Sequence, residues 1–504
     1  MIASAEGGIP DDARVLLNSL KTVARGGFVV YISLFLTHLL TFARRLVIIR
    51  YLSQSDYGLF SLGISIVVMA FALCCMGMDV GAQRFIALYR GKGDRAGVKG
   101  AIYTSAALSG GATVTVTIGL MLAARPIAGL VDKPGLAGVL FGLAFLVPSM
   151  WFLDFMSFYF SGFEKVWVKA LFAEIGVAVV TVVGVSAAAL AKADLRGVLL
   201  AYVLAHILVT VSLLPFSGRL FAPLRGAAPR YELRAILAFS LPLVFSAIAR
   251  ELMTYIDTIM LGYYVSARQV GIYNAAVPLY RVLPLFMAAL GFIFTPVAAR
   301  LIGQDREAVL DRLYASVTKW LFMLSIPGIA LCVLFPLKVL TLLFGGRYAA
   351  AATPLRMLAL AEGVHMLVGP TARTLVVYGR TKLLMADFLA AAVVNVTLNR
   401  LLIPPYGISG AAVATAASLV VLNSLVSLQL YRYYRLHPFR KSYLKSLMAC
   451  ALAIGVFYYP MRLALSASCW LLPAVFVAFM AASLGSVFLA GGIDDEDRAI
   501  YAAL

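Results

Sequence analysis

The groups in this chain with chemistry to offer are ionisable side chains set inside apolar stretches. Arg44 and Arg45 lie in one stretch, Arg250, Glu251 and Asp257 in a second, and Arg281 in a third. Asp79, Asp154, Glu174, Glu362, Arg373, Asp387 and Arg400 are placed in the same way. In a bilayer such a group costs at least ~2.5 kcal/mol near the centre, so it faces protein, a partner or a water-filled path. A guanidinium is a planar fork of donors that meets phosphate oxygens two at a time. Arg250, Thr254 and Asp257 recur at i, i+4 and i+7 and share a helix face; Thr37, Thr41 and Arg44 do the same. Asn274 and Arg281 stand seven apart. These stripes suit the walls of an aqueous cleft. Arg250, Arg281 and Asn274 are expected to hold an anionic head group near mid-membrane, with Arg44 and Arg45 nearer the outer mouth. The alternative is that each arginine is locked in an intramembrane ion pair.

The elements that would position these groups follow from composition. The chain has 504 residues, 62% hydrophobic and 13% charged, with a mean hydropathy of +0.94. Soluble domains average about 25% charged. An ordinary soluble enzyme, a disordered chain and a fibrous repeat are excluded, and an all-α polytopic membrane protein remains. A helix crosses the hydrocarbon with about 20 apolar residues at ~1.5 Å each. That ruler predicts about fourteen spans, at 26–49, 57–79, 100–124, 136–161, 166–190, 195–221, 235–263, 270–300, 313–341, 352–378, 381–403, 407–432, 441–463 and 469–491.

The net charge of +19 reads as basic loops, not as nucleic-acid binding. Connections holding Arg90, Lys92, Arg95 and Lys99, or Arg432, Arg435, Arg440 and Lys441, are richer in cations than the opposite set with Arg50, Arg125 and Lys133. Both termini are therefore expected in the cytoplasm, in a multi-pass protein of the cell membrane. Residues 1–25 read as a cytoplasmic segment with an interfacial helix, and 492–504 as a cytoplasmic tail. The five cysteines lie in apolar stretches without C-x-x-C spacing, so no metal site, disulfide framework or cofactor is expected. His206 and His365 read as packing or interfacial histidines.

The sequence also repeats. Residues 51–60, which include Tyr57-Gly58-Leu59-Phe60, recur 213 positions later as 264–273, which include Val270-Gly271-Ile272-Tyr273. The same offset carries 195–201 onto 408–414, and an offset of 211 carries Asp94–Val98 onto Asp305–Val309. Three matches at nearly one offset indicate a duplicated six-helix unit. An even unit re-enters from the same side, so the repeat is parallel, with two lobes around a central cavity. The expected division is an N-lobe over 26–221, a linker over 222–234, a C-lobe over 235–432, and two extra helices within 433–491.

Tyr57-Gly58-Leu59-Phe60, Val270-Gly271-Ile272-Tyr273-Asn274-Ala275-Ala276 and Leu343-Phe344-Gly345 carry a resemblance. So do Asn395 with Asn399, Ile403-Pro404, Tyr406-Gly407-Ile408 and Gly410 through Thr415. Together they resemble polysaccharide-biosynthesis flippases of the O-antigen type, within the multidrug/oligosaccharidyl-lipid/polysaccharide exporter superfamily. The resemblance covers nearly the whole chain. It implies translocation of a polyprenyl-(pyro)phosphate-linked oligosaccharide from the cytoplasmic to the outer leaflet, for cell-surface polysaccharide or glycan assembly. It implies alternating access without bond chemistry, and helices one, two, seven and eight lining the path. A monomer is expected, working beside polysaccharide polymerase or glycosyltransferase machinery.

Within that frame His38, Glu251 and Asp257 are candidates to couple transport to protons or sodium, or to serve as counter-ions to Arg250 and Arg44. Asp154 and Arg373 lie toward the cytoplasmic third and read as inner-gate or lobe-packing residues. The competing reading is a cation-coupled multidrug or metabolite antiporter of the same superfamily. A membrane glycosyltransferase or ligase is disfavoured, because no nucleotide-sugar motif, metal cluster or catalytic loop is present.

Overall fold

The structure is a computed structural model that describes residues 35–489, apart from 164, 166 and 222–225. The expected interfacial segment 1–25, the start of the first span and the tail 492–504 lie outside the described residues. Among those described, every regular element is helical.

The starts of the helices follow local chemistry. Helix α1 covers residues 35–51, and α2 covers Gln54–Cys75. The Ser53 hydroxyl accepts the Asp56 N–H at 3.0 Å, and Asp56 adds a negative charge to the positive end of the α2 dipole. Met76 and Gly77 are both left-handed and turn the chain into α3, Met78–Gly91. Asp94 caps α4, Arg95–Leu130, through the Gly97 N–H, and Asp194 caps α8, Leu195–Phe221, through the Gly197 N–H. Between them run α5 (Gly135–Ala144), α6 (Leu146–Gly162), a π-helical turn over Lys169–Gly176, and α7 (Val177–Leu190).

The second half comprises α9 (Leu233–Tyr264), α10 (Ala267–Val282), α11 (Leu285–Gly303), α12 (Glu307–Leu334) and α13 (Pro336–Phe344). It continues with α14 (Ala352–Val368), α15 (Thr371–Val377), α16 (Thr381–Tyr434), α17 (Lys441–Ala467) and α18 (Leu472–Leu489). The repeated sequence stretches fall at equivalent points. Ser53 and Ser266 precede α2 and α10, and Asp94 and Asp305 precede α4 and α12. Asp194 opens α8 where Gly407, at φ 55°, kinks α16.

Among the described residues, ten helical stretches are long and apolar enough to cross a membrane. That measure does not reach the fourteen spans expected. Residues 35–51 and Ala352–Val368 are each only 17 residues long as described, and α16 counts once although it joins two helices across Gly407. Helix α9, with 32 residues, is also outside the ten.

The described chain forms two compact units. One holds residues 39–274 and 399–408; the other holds residues up to 38, 275–398 and those from 409 onward. The boundary falls inside α10, between Asn274 and Ala275. The reason lies in the first unit, where α9 and the start of α10 pack on α2. Gly58 and Gly271, equivalent in the repeat, meet backbone to backbone. A Cβ on Gly58 would sit 1.8 Å from the Ala267 carbonyl oxygen, and one on Gly271 would sit 2.1 Å from that of Gln54. Ala267 and Gln54 are themselves repeat equivalents. The Arg268 Nε–H donates to Gln54 Oε1 at 2.8 Å beside this crossing. Lys133, 9% exposed, donates to the carbonyls of Val131 and Gly262. Burial pushes its ammonium below the usual lysine value, against the opposing pull of Asp132.

The described part of the linker is also tied within this unit. The Arg230 N–H donates to the Ala96 carbonyl, its guanidinium pairs with Asp94 at 2.7 Å, and Lys99 donates to the Ala227 carbonyl. In the second unit α17 and α18 pack on α12, so the helices beyond the repeat are part of its core.

Replacing Gly58 or Gly271 by Ala forces a methyl into backbone that cannot yield. Overpacking of this kind costs about 1–3 kcal/mol, so thermal unfolding in detergent is expected to show a lowered midpoint for either variant. Gly455→Ala, where nothing lies within 4 Å of an added Cβ, is the control and is expected to unfold like the parent.

Candidate functional site: a cationic cavity and a buried carboxylate

Two helix breaks shape a cavity in the second unit. Pro284 offers no N–H, and the chain breaks between α10 and α11 there. Gly369, at φ 76°, ends α14, and Pro370 precedes α15. With His38 from α1, these segments border an open cavity of about 280 Å³, lined by residues that include His38, Arg281, Met287, His365, Thr371 and Arg373. Arg281 stands in the last turn of α10, where a cation is favoured by the helix dipole. Glu362, 8% exposed, is its electrostatic neighbour. Arg373 lies along Gly291, where a Cβ would approach its Nε to 2.6 Å. Among the described residues no carboxylate pairs with Arg373. Two guanidinium forks and two imidazoles thus line one largely apolar space, and such forks match phosphate oxygens in geometry.

The first unit holds a different arrangement. Asp257 is 7% exposed on α9. Its Oδ2 accepts the Tyr273 hydroxyl at 3.0 Å, and its Oδ1 accepts the Asn399 amide at 2.7 Å. The Thr258 hydroxyl donates to Asn274 Oδ1 at 3.1 Å, the Asn274 amide donates to the Val270 carbonyl, and the Tyr57 hydroxyl donates to the Asn274 carbonyl. Asn274, expected to touch substrate, is 8% exposed with both ends of its amide engaged inside the protein. It acts in this structure as a brace between α9 and α10. Tyr273 and Asn399 thus each donate a hydrogen bond to the buried Asp257 carboxylate.

The remaining expected residues are placed as follows. The Arg44 guanidinium lies over the Tyr202 ring at 5.2 Å, and that ring packs on His206 at 4.8 Å. Arg45 is half-buried beside it in sequence. The Arg250 side chain is 71% exposed near the middle of α9, with its Nε 3.2 Å from Glu251, which is 19% exposed. Asp154 is half-buried on α6. His38, Arg281 and Arg373 thus share one cavity, while Arg44, Arg45, Arg250, Glu251, Asp257, Asn274 and Asp154 belong to the other unit.

Sequence reasoning missed His365 and Thr371 as cavity residues, and Tyr273 and Asn399 as partners of Asp257. The Gly369-Pro370 pair was the available signal for the first two, since that dipeptide breaks a helix.

An all-helical chain with long apolar helices, intramembrane charges and a cationic cavity has the build of a multi-pass membrane carrier. The profile of the polysaccharide biosynthesis protein family matches residues 23–302, and that of the MatE family matches 242–401. The chain belongs to the polysaccharide biosynthesis protein family. A relative from Haloferax volcanii, described as a probable low-salt glycan biosynthesis flippase (Agl15), is 25% identical over 207 residues, 39% of this chain and 43% of the relative. A probable multidrug resistance protein (NorM) from Photorhabdus laumondii is 30% identical over 220 residues, 41% of this chain and 46% of the relative. The chain thus matches less than half the length of these curated relatives. An inward-facing multidrug transporter of the MATE family superposes with a TM-score of 0.63 at 15% identity, covering 86% of this chain and 96% of that one. This last likeness defines the fold.

Asn399→Leu removes one donor from the buried Asp257 carboxylate. The loss is expected to cost about 1–3 kcal/mol, read as a lower unfolding midpoint by scanning fluorimetry. Combining it with Asp257→Leu, which removes the stranded acceptor, is expected to recover part of that loss.

Proposed function

We propose that this chain is a flippase. It moves a polyprenyl-(pyro)phosphate-linked oligosaccharide from the cytoplasmic to the outer leaflet of the cell membrane, by alternating access of the two repeat-related lobes. The observation that carries this reading is the cavity bearing Arg281 and Arg373. The phosphate groups sit against the two guanidinium forks, sugars occupy the polar remainder of the path, and the lipid tail stays in the bilayer. Arg250, exposed in the middle of a long apolar helix, faces water along that path. Arg44 and Arg45 serve nearer the outer mouth. Asn274 enters as a brace and not as a substrate contact. Asp257, braced by Tyr273 and Asn399, couples the cycle to a proton or sodium ion, with Glu251 as the counter-ion of Arg250.

The antiporter reading shares the fold and the buried Asp257. The cavity argues against a cationic drug as cargo, because two guanidinium groups within one small space repel a cation where an anion is attracted. The basic loops support cytoplasmic termini, and in this reading the protein acts alongside glycan-polymerising or glycosyl-transferring enzymes that consume its product.

In proteoliposomes, Arg281→Ala and Arg373→Ala are each expected to slow translocation of a fluorescent polyprenyl-pyrophosphate oligosaccharide by roughly tenfold or more, the worth of a charge-assisted hydrogen bond. Lysine at either position is expected to retain part of the rate. Undiminished transport in both alanine variants would remove the cavity from the path.

A further inference from the structure

We propose that Tyr443, on a helix outside the twelve-helix repeat, is a positioning residue for the cavity. Its hydroxyl fixes the Gly369–Pro370 break that presents Thr371 and Arg373. The proposal rests on reading the cavity as a phosphate seat.

The argument begins with the backbone. At the end of α14 the Gly369 N–H turns back to the His365 carbonyl at 3.3 Å. Pro370 has no N–H to give. The Thr371 N–H goes to the Gly369 carbonyl at 2.8 Å, and the Thr374 N–H to that of Pro370 at 3.0 Å. Among the described residues no backbone N–H crosses the break to the carbonyls of Leu367 or Val368. In apolar surroundings an unmet carbonyl is costly. Two tyrosines meet them: the Tyr443 hydroxyl donates to Leu367 at 2.8 Å, and the Tyr314 hydroxyl donates to Val368 at 2.5 Å.

Tyr443 is well placed to hold its position. It is 1% exposed, with its ring edge-on to Phe322 at 5.8 Å and stacked with Phe439 at 6.0 Å. Arg440, just before it, pairs with Asp311 at 2.5 Å, one turn ahead of Tyr314 on α12. The start of α17 is therefore pinned to α12 beside the break. Gly369 leaves no slack, since a Cβ there would lie 2.1 Å from the Thr318 hydroxyl. The five residues that follow this anchorage, from Gly369 to Arg373, all line the cavity. Without the hydroxyl, Leu367 must find another donor, the break rearranges, and Arg373 leaves its place along Gly291.

The test is a thermodynamic cycle on the full-length protein in detergent or nanodiscs. Tyr443→Phe keeps the ring and removes only the donor. Inorganic pyrophosphate is the probe, titrated calorimetrically into the parent, Tyr443→Phe, Arg373→Gln and the double variant. Tyr443→Phe is expected to bind roughly threefold to tenfold more weakly, as the loss of one hydrogen bond allows, and to add no further loss in the Arg373→Gln background. Amide exchange at residues 371–374 is expected to quicken in the same variant. Parent-like affinity, or a loss that simply adds to that of Arg373→Gln, overturns the proposal. If the parent binds no pyrophosphate, the phosphate reading fails by itself. Exchange at 371–374 then decides the role of Tyr443: faster exchange upholds it and unchanged exchange ends it.

Discussion

A helix broken inside a membrane leaves carbonyls that hydrocarbon cannot satisfy, and much of this protein answers that constraint. The break at Gly369–Pro370 opens the space into which Arg373 and Thr371 project, so the cavity and the unmet carbonyls arise from one event. Tyr314 and Tyr443 supply the missing donors from helices on the far side of the break. The opposite wall is built similarly, by Pro284 parting α10 from α11 just after Arg281. Charge is delivered to the membrane interior by helices that stop, and their stopping has to be stabilised from outside the cavity.

The other unit follows a different logic. Helices α2 and α10 cross where side chains vanish, at Gly58 and Gly271, and beside that crossing Tyr273 and Asn274 reach from α10 to Asp257 and Thr258 on α9. Asp257 is thereby a buried carboxylate fixed from two sides, by a phenol and by an amide. Asp257 and the arginine cavity belong to different units, each held by its own set of helices.

The extent of several long helices was legible in the sequence. The expected 195–221 and 235–263 correspond to Leu195–Phe221 and Leu233–Tyr264, because hydropathy over twenty residues reports helix length well. The repeat was legible because it is preserved at turns, where the Ser53 and Ser266 hydroxyls each accept the N–H three residues on. The short breaks were not, since a twenty-residue window averages over Gly369-Pro370 and merges α14 with α15. Arg373 consequently read as a gate or packing residue. Partners were also beyond reach. That Asn274 is spent on Thr258 and Val270, and that Asn399 meets Asp257, depends on helix rotation, which periodicity alone does not fix.

The glycine crossing carries a historical consequence. Gln54 and Gly58 meet Ala267 and Gly271, and the repeat relates the first pair to the second. A lone ancestral copy would thus have borne both halves of the joint on a single surface, the signature of a self-complementary twofold interface. The crossing thus has the local symmetry of an isologous contact, with both halves carried on one chain.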